Sequence, residues 1–183
     1  TDLITGLIVP TSGQILINNV PLYNNENSDK LIRIWRKNIS LVSQNTYLAD
    51  SSIKENIALG IEKKNINLKK IKKVLKLAKL YDFLNSKKYG IDTLIGENGV
   101  SLSGGQCQRL SIARGLYKDS SFILLDEATS SLDNNTEEQI LNDITSIGND
   151  ITIILITHRE SNLKYCNKVI RINRGKLLEI KTF

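Results

Sequence analysis

The chain has 183 residues, 25 Lys and Arg against 19 Asp and Glu, a net charge of +6, and 40% apolar residues. These numbers suit one domain with a real core, or a piece of a slightly larger one, and they exclude disorder. No apolar run nears the roughly 18–20 residues of a membrane helix, and Cys107, Cys166 and the single His158 offer neither CxxC spacing nor a His-rich metal set, as expected of a reducing, cytosolic setting.

Taken in order, the elements alternate between helix and strand patterns, which predicts an α/β sheet with crossover helices. Apolar Leu3, Ile4 and Leu7 predict the tail of a helix over residues 1–7. Pro10 to Gly13 is turn chemistry, followed by a strand over 14–17. A polar loop over 23–29 opens a short helix to about Trp35, and residues 39–42 form a second strand. Ser52 and Glu55 fit a capping box, so a helix starts there and the chain runs on through a lysine-rich helix to about Asn85. After a glycine-rich loop (Gly90, Gly96, Gly99), Ser103 caps a long helix to about Tyr117. A buried strand over 121–125 ends in Asp126 and Glu127. Another helix carries Glu137 and Glu138 in its first turn, where the helix dipole favours acids. A second buried strand over 151–156 ends at Thr157 and His158, and residues 168–180 read as a hairpin around Asn173, Arg174 and Gly175.

The positive charge is uneven. Residues 63–88 hold ten lysines and one acid, Asp82, a net of +9, so the remainder of the chain is −3. Lysines 69, 70, 72, 73, 76 and 79 alternate with Leu68, Ile71, Val74, Leu75 and Ala78 at helical spacing, giving an amphipathic helix with a basic outer face. A solvated face explains this first, and contact with anionic headgroups or a partner comes second. Nucleic acid is not an expected partner, because only Tyr81 and Phe83 stand near the helix to stack on bases.

Three strand ends carry residues that a core would not choose: Gln44, Asp126 with Glu127, and His158. Parallel strands bring their carboxyl ends to one sheet edge, where open α/β folds bind ligands. An Asp there suits Mg²⁺, a hard cation that keeps much of its water, and a neighbouring Glu can deprotonate an attacking water. Singly, His158 also reads as an ordinary surface histidine and Gln44 as a loop residue. Ser103, Gly104, Gly105 and Gln106 open a helix with small residues and free backbone N–H groups, a ready site for an anion.

Together these residues resemble the nucleotide-binding domain of an ABC transporter, a P-loop NTPase-like α/β fold. Residues 102–106 match the LSGGQ signature, 122–127 the Walker B strand with its glutamate, Gln44 the Q-loop, Asp133 the D-loop and His158 the switch histidine. The resemblance covers essentially the whole chain. Residues 93–99, 50–57 and 127–133 resemble the exporter branch, whereas Cys107 stands where Arg or Lys is usual. A partial domain over 1–183 is expected, with a helical subdomain at about 60–117 and a RecA-like core at 1–59 and 118–183.

The resemblance implies ATP hydrolysis, with Mg²⁺, driving export from the cytoplasmic face of a cell membrane. It gives Glu127 the role of base, Asp126 a place on Mg²⁺ through water, Gln44 a contact with Mg²⁺, and His158 a contact with the γ-phosphate. Ser103, Gly104, Gly105 and Gln106 would grip nucleotide held by a second such domain, with Asp133 at the dimer seam, and a transmembrane domain would be the further partner. No G-x-x-x-x-G-K-[ST] phosphate loop occurs in the chain. Opening on Thr1 and lacking methionine, the chain is expected to be cut just past that loop, without the preceding strands, and to be inactive as an isolated piece. The alternative function is a soluble ATPase of the same family acting on DNA or ribosomes.

Overall fold

The computed structural model describes residues 1–23, 28–96, 101–148 and 150–183. Most of the expected 23–29 loop, and Glu97, Asn98 and Gly99 of the exporter-like 93–99 stretch, lie outside the described residues. The chain forms β1 (Leu16–Ile17), β2 (Val20–Pro21), α1 (Ser28–Asn38), β3 (Ile39–Val42), α2 (Ile53–Ile57), α3 (Leu68–Leu77) and α4 (Tyr81–Asn85). It continues through α5 (Gly104–Tyr117), β4 (Phe122–Asp126), α6 (Asn134–Thr145), β5 (Thr152–Ile156), β6 (Lys168–Asn173) and β7 (Lys176–Thr182).

The centre is a parallel sheet in the order β3-β4-β5, with Val42 beside Leu125 and Asp126 beside Ile156. The β4 sequence Phe-Ile-Leu-Leu-Asp is apolar on both faces because both are covered, and Ile123, Leu124 and Leu125 are buried. The sheet's carboxyl-terminal edge therefore carries Gln44, Asp126, Glu127 and His158 together, as expected.

One core joins this sheet to α2, α3, α5 and α6 through Val42, Ile57, Ile71, Leu110, Leu125 and Ile140. A second, smaller core packs Leu22, Trp35 and Ile39, with Trp35 edge-on to Phe122 at 5.0 Å between ring centroids. Helix α5 approaches β3 so closely that a Cβ at Gly115 would stand 2.5 Å from Val42 Cγ2, and Ser40 Oγ donates to Gly115 O at 2.9 Å. Glycine is the residue that permits this contact.

Several expected elements change extent. Residues 1–7 make hydrogen-bonded turns rather than a helix tail: Thr5 N donates to Thr1 O, Leu7 N reaches Asp2 O, and Gly6 turns away at φ +71°. The expected strand at 14–17 shrinks to Leu16–Ile17, and its two-residue partner β2 follows a turn in which Asn18 and Asn19 both take positive φ. Helix α1 runs three residues past Trp35, to Asn38. The capping box of α2 forms as expected, but the helix stops at Ile57, and Gly60 at φ +82° redirects the chain. Helix α3 likewise ends at Leu77, where Lys79 adopts φ +53° before α4.

The basic face of α3 is less bare than its sequence suggests. Lys70 pairs with Asp119 and lies over the Tyr117 ring, Lys79 pairs with Asp143, and Lys76 lies over Tyr81. Lys69, Lys72 and Lys73 are exposed. Among the described residues, no helix is long and apolar enough to cross a membrane.

Candidate functional site

The site begins where β4 ends. Asp126 closes the strand, and the next residue, Glu127, adopts φ +49° while its N–H still donates to Ile156 O at 3.1 Å. A left-handed conformation costs a residue with a Cβ about 1–2 kcal/mol, so the backbone is strained at this strand end. Such strain gathers at functional sites. The Glu127 carboxylate meets His158, with Nε2 and Oε1 2.6 Å apart. Glu127, Thr129, Ser130, Glu137, Thr157, His158 and Arg159 line a small cavity of about 90 Å³ at this edge.

Asp126 lies next to this pair but faces another way: its Oδ2 accepts from the Thr1 hydroxyl at 2.5 Å. Gln44 lies two residues beyond β3 and is exposed. Among the described residues, no three His, Cys, Asp or Glu side chains converge as a metal set. The oxygen donors of Asp126 and Gln44 on one edge nonetheless fit Mg²⁺, which takes few protein ligands and shares the rest with water and phosphate.

The signature residues stand apart from the cavity. Ser103 caps α5, its Oγ accepting from Gln106 N at 3.3 Å while Gln106 Oε1 accepts from Ser103 N at 2.9 Å. Gly104 is exposed, and a Cβ on Gly105 would come within 3.3 Å of Ser131 O. Asp133 caps α6 by accepting from Thr136 N at 2.9 Å, and that N–H holds its carboxyl below the usual carboxylate range. The fold thus joins Glu127 with His158, sets Asp126 and Gln44 on the same edge, and keeps Ser103 to Gln106 and Asp133 outside the pocket.

A family model described as ABC transporter matches residues 1–130. The chain belongs to the ABC transporter family. The ATP-dependent lipid A-core flippase of Pectobacterium atrosepticum is 38% identical over 178 residues, covering 97% of this chain and 30% of that protein. The heterocyst differentiation ATP-binding protein HepA of Nostoc sp. is 37% identical over 178 residues, 97% of this chain and 28% of its own length. Among solved structures, a bacterial Atm1-family ABC exporter with ATP bound superposes with a TM-score of 0.90 at 31% identity, covering 99% of this chain and 31% of that one. The P-loop NTPase-like α/β fold of ABC transporter proteins is therefore the fold of this chain, which spans about 30% of the length of these relatives.

Sequence reasoning passed over two buried polar side chains behind the site. Glu137 reads as a first-turn acid of α6, and Gln108 as one more polar position in α5, yet they are 3% and 4% exposed. Gln108 donates to Ser130 Oγ at 2.9 Å and accepts from Ser131 N at 2.8 Å, so it clamps the segment after Glu127 to α5. A signal existed for Glu137: it shares a helical stripe with Ile140, Leu141 and Ile144, all buried, at spacings of three, four and seven. A carboxylate on an apolar stripe needs partners.

Proposed function

We propose that the chain is the ATP-hydrolysing domain of an ABC exporter, acting at the cytoplasmic face of a cell membrane with a transmembrane domain as its partner. The observation that carries the reading is the 2.6 Å approach of His158 to Glu127 beside Asp126, at the carboxyl edge of the parallel strands. The relatives' own names, a flippase and an exporter, support the direction of transport.

In this reading Glu127 accepts a proton from the attacking water, and its turned backbone aims the carboxylate out of the sheet toward it. His158 Nε2, already within hydrogen-bond reach of that carboxylate, orients the water and meets the γ-phosphate. Asp126 and Gln44 would hold Mg²⁺, largely through water, and the ion would neutralise phosphate charge. Ser103, the N–H groups of Gly104 and Gly105, and Gln106 serve nucleotide bound to a second such domain. Their place outside the pocket of their own chain supports that role. Asp133 lies near the same seam. The helical subdomain spans about 60–117, and the RecA-like core comprises 1–59 and 118–183.

The test is Mg-ATP hydrolysis by the intact transporter that carries the chain, with Glu127→Gln as the variant. Binding of Mg-ATP should persist while turnover falls by about 10²–10⁴-fold, the usual contribution of a positioned base. A steady-state rate equal to wild type removes Glu127 from that role.

A further inference from the structure

The His158 side chain is 86% exposed, and its Nε2 meets the Glu127 carboxylate. Packing therefore does little to hold the imidazole in place. What fixes it is the anchoring of its two neighbours, Thr157 and Arg159, and both lead to one buried carboxylate.

Glu137 Oε1 accepts from Thr129 Oγ1 at 2.6 Å and from Asn162 Nδ2 at 2.8 Å. Its Oε2 pairs with Arg159 Nη1. Asn162 also donates to Thr157 Oγ1 at 3.3 Å, and the same hydroxyl accepts from Arg159 N at 3.0 Å. Arg159 Nη2 reaches across to Ser130 O at 3.0 Å. Thr129, Glu137 and Asn162 are each 3% exposed. The carboxylate thus uses one oxygen on the segment that follows Glu127 and on Asn162, and the other on the residue after His158.

Packing alone does not call for this arrangement. Burying the Glu137 carboxylate carries a desolvation penalty, only partly offset by the half-exposed Arg159, and an apolar residue on the Ile140–Leu141–Ile144 stripe would fill the same volume without it. The network does what an apolar residue could not: it sets the distance and angle between two loops. We infer that Glu137 is a positioning residue for the reaction, holding the His158 loop in register with Glu127 through Arg159, Asn162 and Thr129. This rests on the ATPase reading above, and Glu137 itself touches neither nucleotide nor water in it.

The experiment compares Glu137→Gln, His158→Ala and the double variant in the intact protein. Glutamine keeps the shape and an acceptor for Thr129 and Asn162, but loses the charge that pairs with Arg159. Glu137→Gln should lower kcat for Mg-ATP hydrolysis at least about tenfold, as a misplaced catalytic group does, with KM nearly unchanged. In the His158→Ala background it should add no further loss, because it acts through that residue. The His158 imidazole resonance, assigned by its disappearance in His158→Ala, should shift and broaden in Glu137→Gln. Additive losses in the double variant, or an unmoved resonance, overturn the inference. Asn162→Ala, which deletes one strut and keeps the Glu137–Arg159 ion pair, should give the same non-additive pattern with a smaller loss, and additivity there overturns the inference even where Glu137→Gln does not fold. A wild-type protein that binds no Mg-ATP and does not hydrolyse it overturns the proposed function, and the His158 resonance still decides the positioning.

Discussion

Glu127 combines chemistry and strain in one residue. Its φ of +49° is a conformation that glycine adopts without steric cost. Replacing it by glycine relieves about 1–2 kcal/mol of backbone strain and adds about 0.5–1 kcal/mol of chain entropy to the unfolded state. The half-exposed contact with His158 is worth little to stability. Glu127→Gly should therefore be at least as stable as wild type in urea unfolding while losing the proposed hydrolysis. A loss of more than about 1 kcal/mol would show that the carboxylate serves the fold rather than the site. The identities of Glu127, Asp126 and His158 as candidates were legible from strand ends alone. The bent backbone of Glu127 was not, since no local pattern marks a non-glycine residue for positive φ.

Among the elements, α2 is the clearest case of local chemistry setting a boundary. Ser52 Oγ and the Ser52 N–H both engage Glu55, and Lys63 Nζ lies 2.5 Å from the same carboxylate. Hydrogen bonds from Lys63 first and Ser52 second pull the Glu55 carboxyl down from 4.5 to about 2. A depressed carboxylate contributes stability that is present above its unfolded value and is lost as pH falls through its folded value. The difference in Tm between wild type and Glu55→Gln should accordingly be nearly constant above about pH 5, shrink as pH falls below that, and disappear only below about pH 2. A difference that is as large near pH 2 as at pH 6 would mean that glutamine disturbs packing instead of removing a charge. The start of α2 was readable from Ser52 and Glu55, but its end was not. Five residues of helix followed by Gly60 is a choice made by the burial of Ile53 and Ile57 against α5, and periodicity carries no record of that partner.

Across the whole molecule, stability follows the layering. Strand β4 lies between β3 and β5 with its centre buried, whereas the β6-β7 hairpin exposes Ile170, Ile172 and Leu178. Native-state hydrogen exchange should find the Ile123 to Leu125 amides slowest and those of β6 and β7 markedly faster, since opening the hairpin uncovers little buried surface. Equal protection in both would contradict a core centred on β4. The charge has a similar logic. The +9 stretch was read as a solvated face, and the fold spends part of it on Asp119, Asp143, Tyr81 and Tyr117. What the residues established unaided were features with local causes: caps at Ser52 and Ser103, buried strands as apolar runs, and polar residues at strand ends. Family membership rests on the same local motifs. The convergence of Glu137 with Thr129, Arg159 and Asn162, the clamp of Gln108 on Ser130 and Ser131, and the separation of Ser103 from Glu127 came only with the folded chain. Each depends on residues 8 to 25 positions apart being placed by packing, and no spacing rule reaches that far.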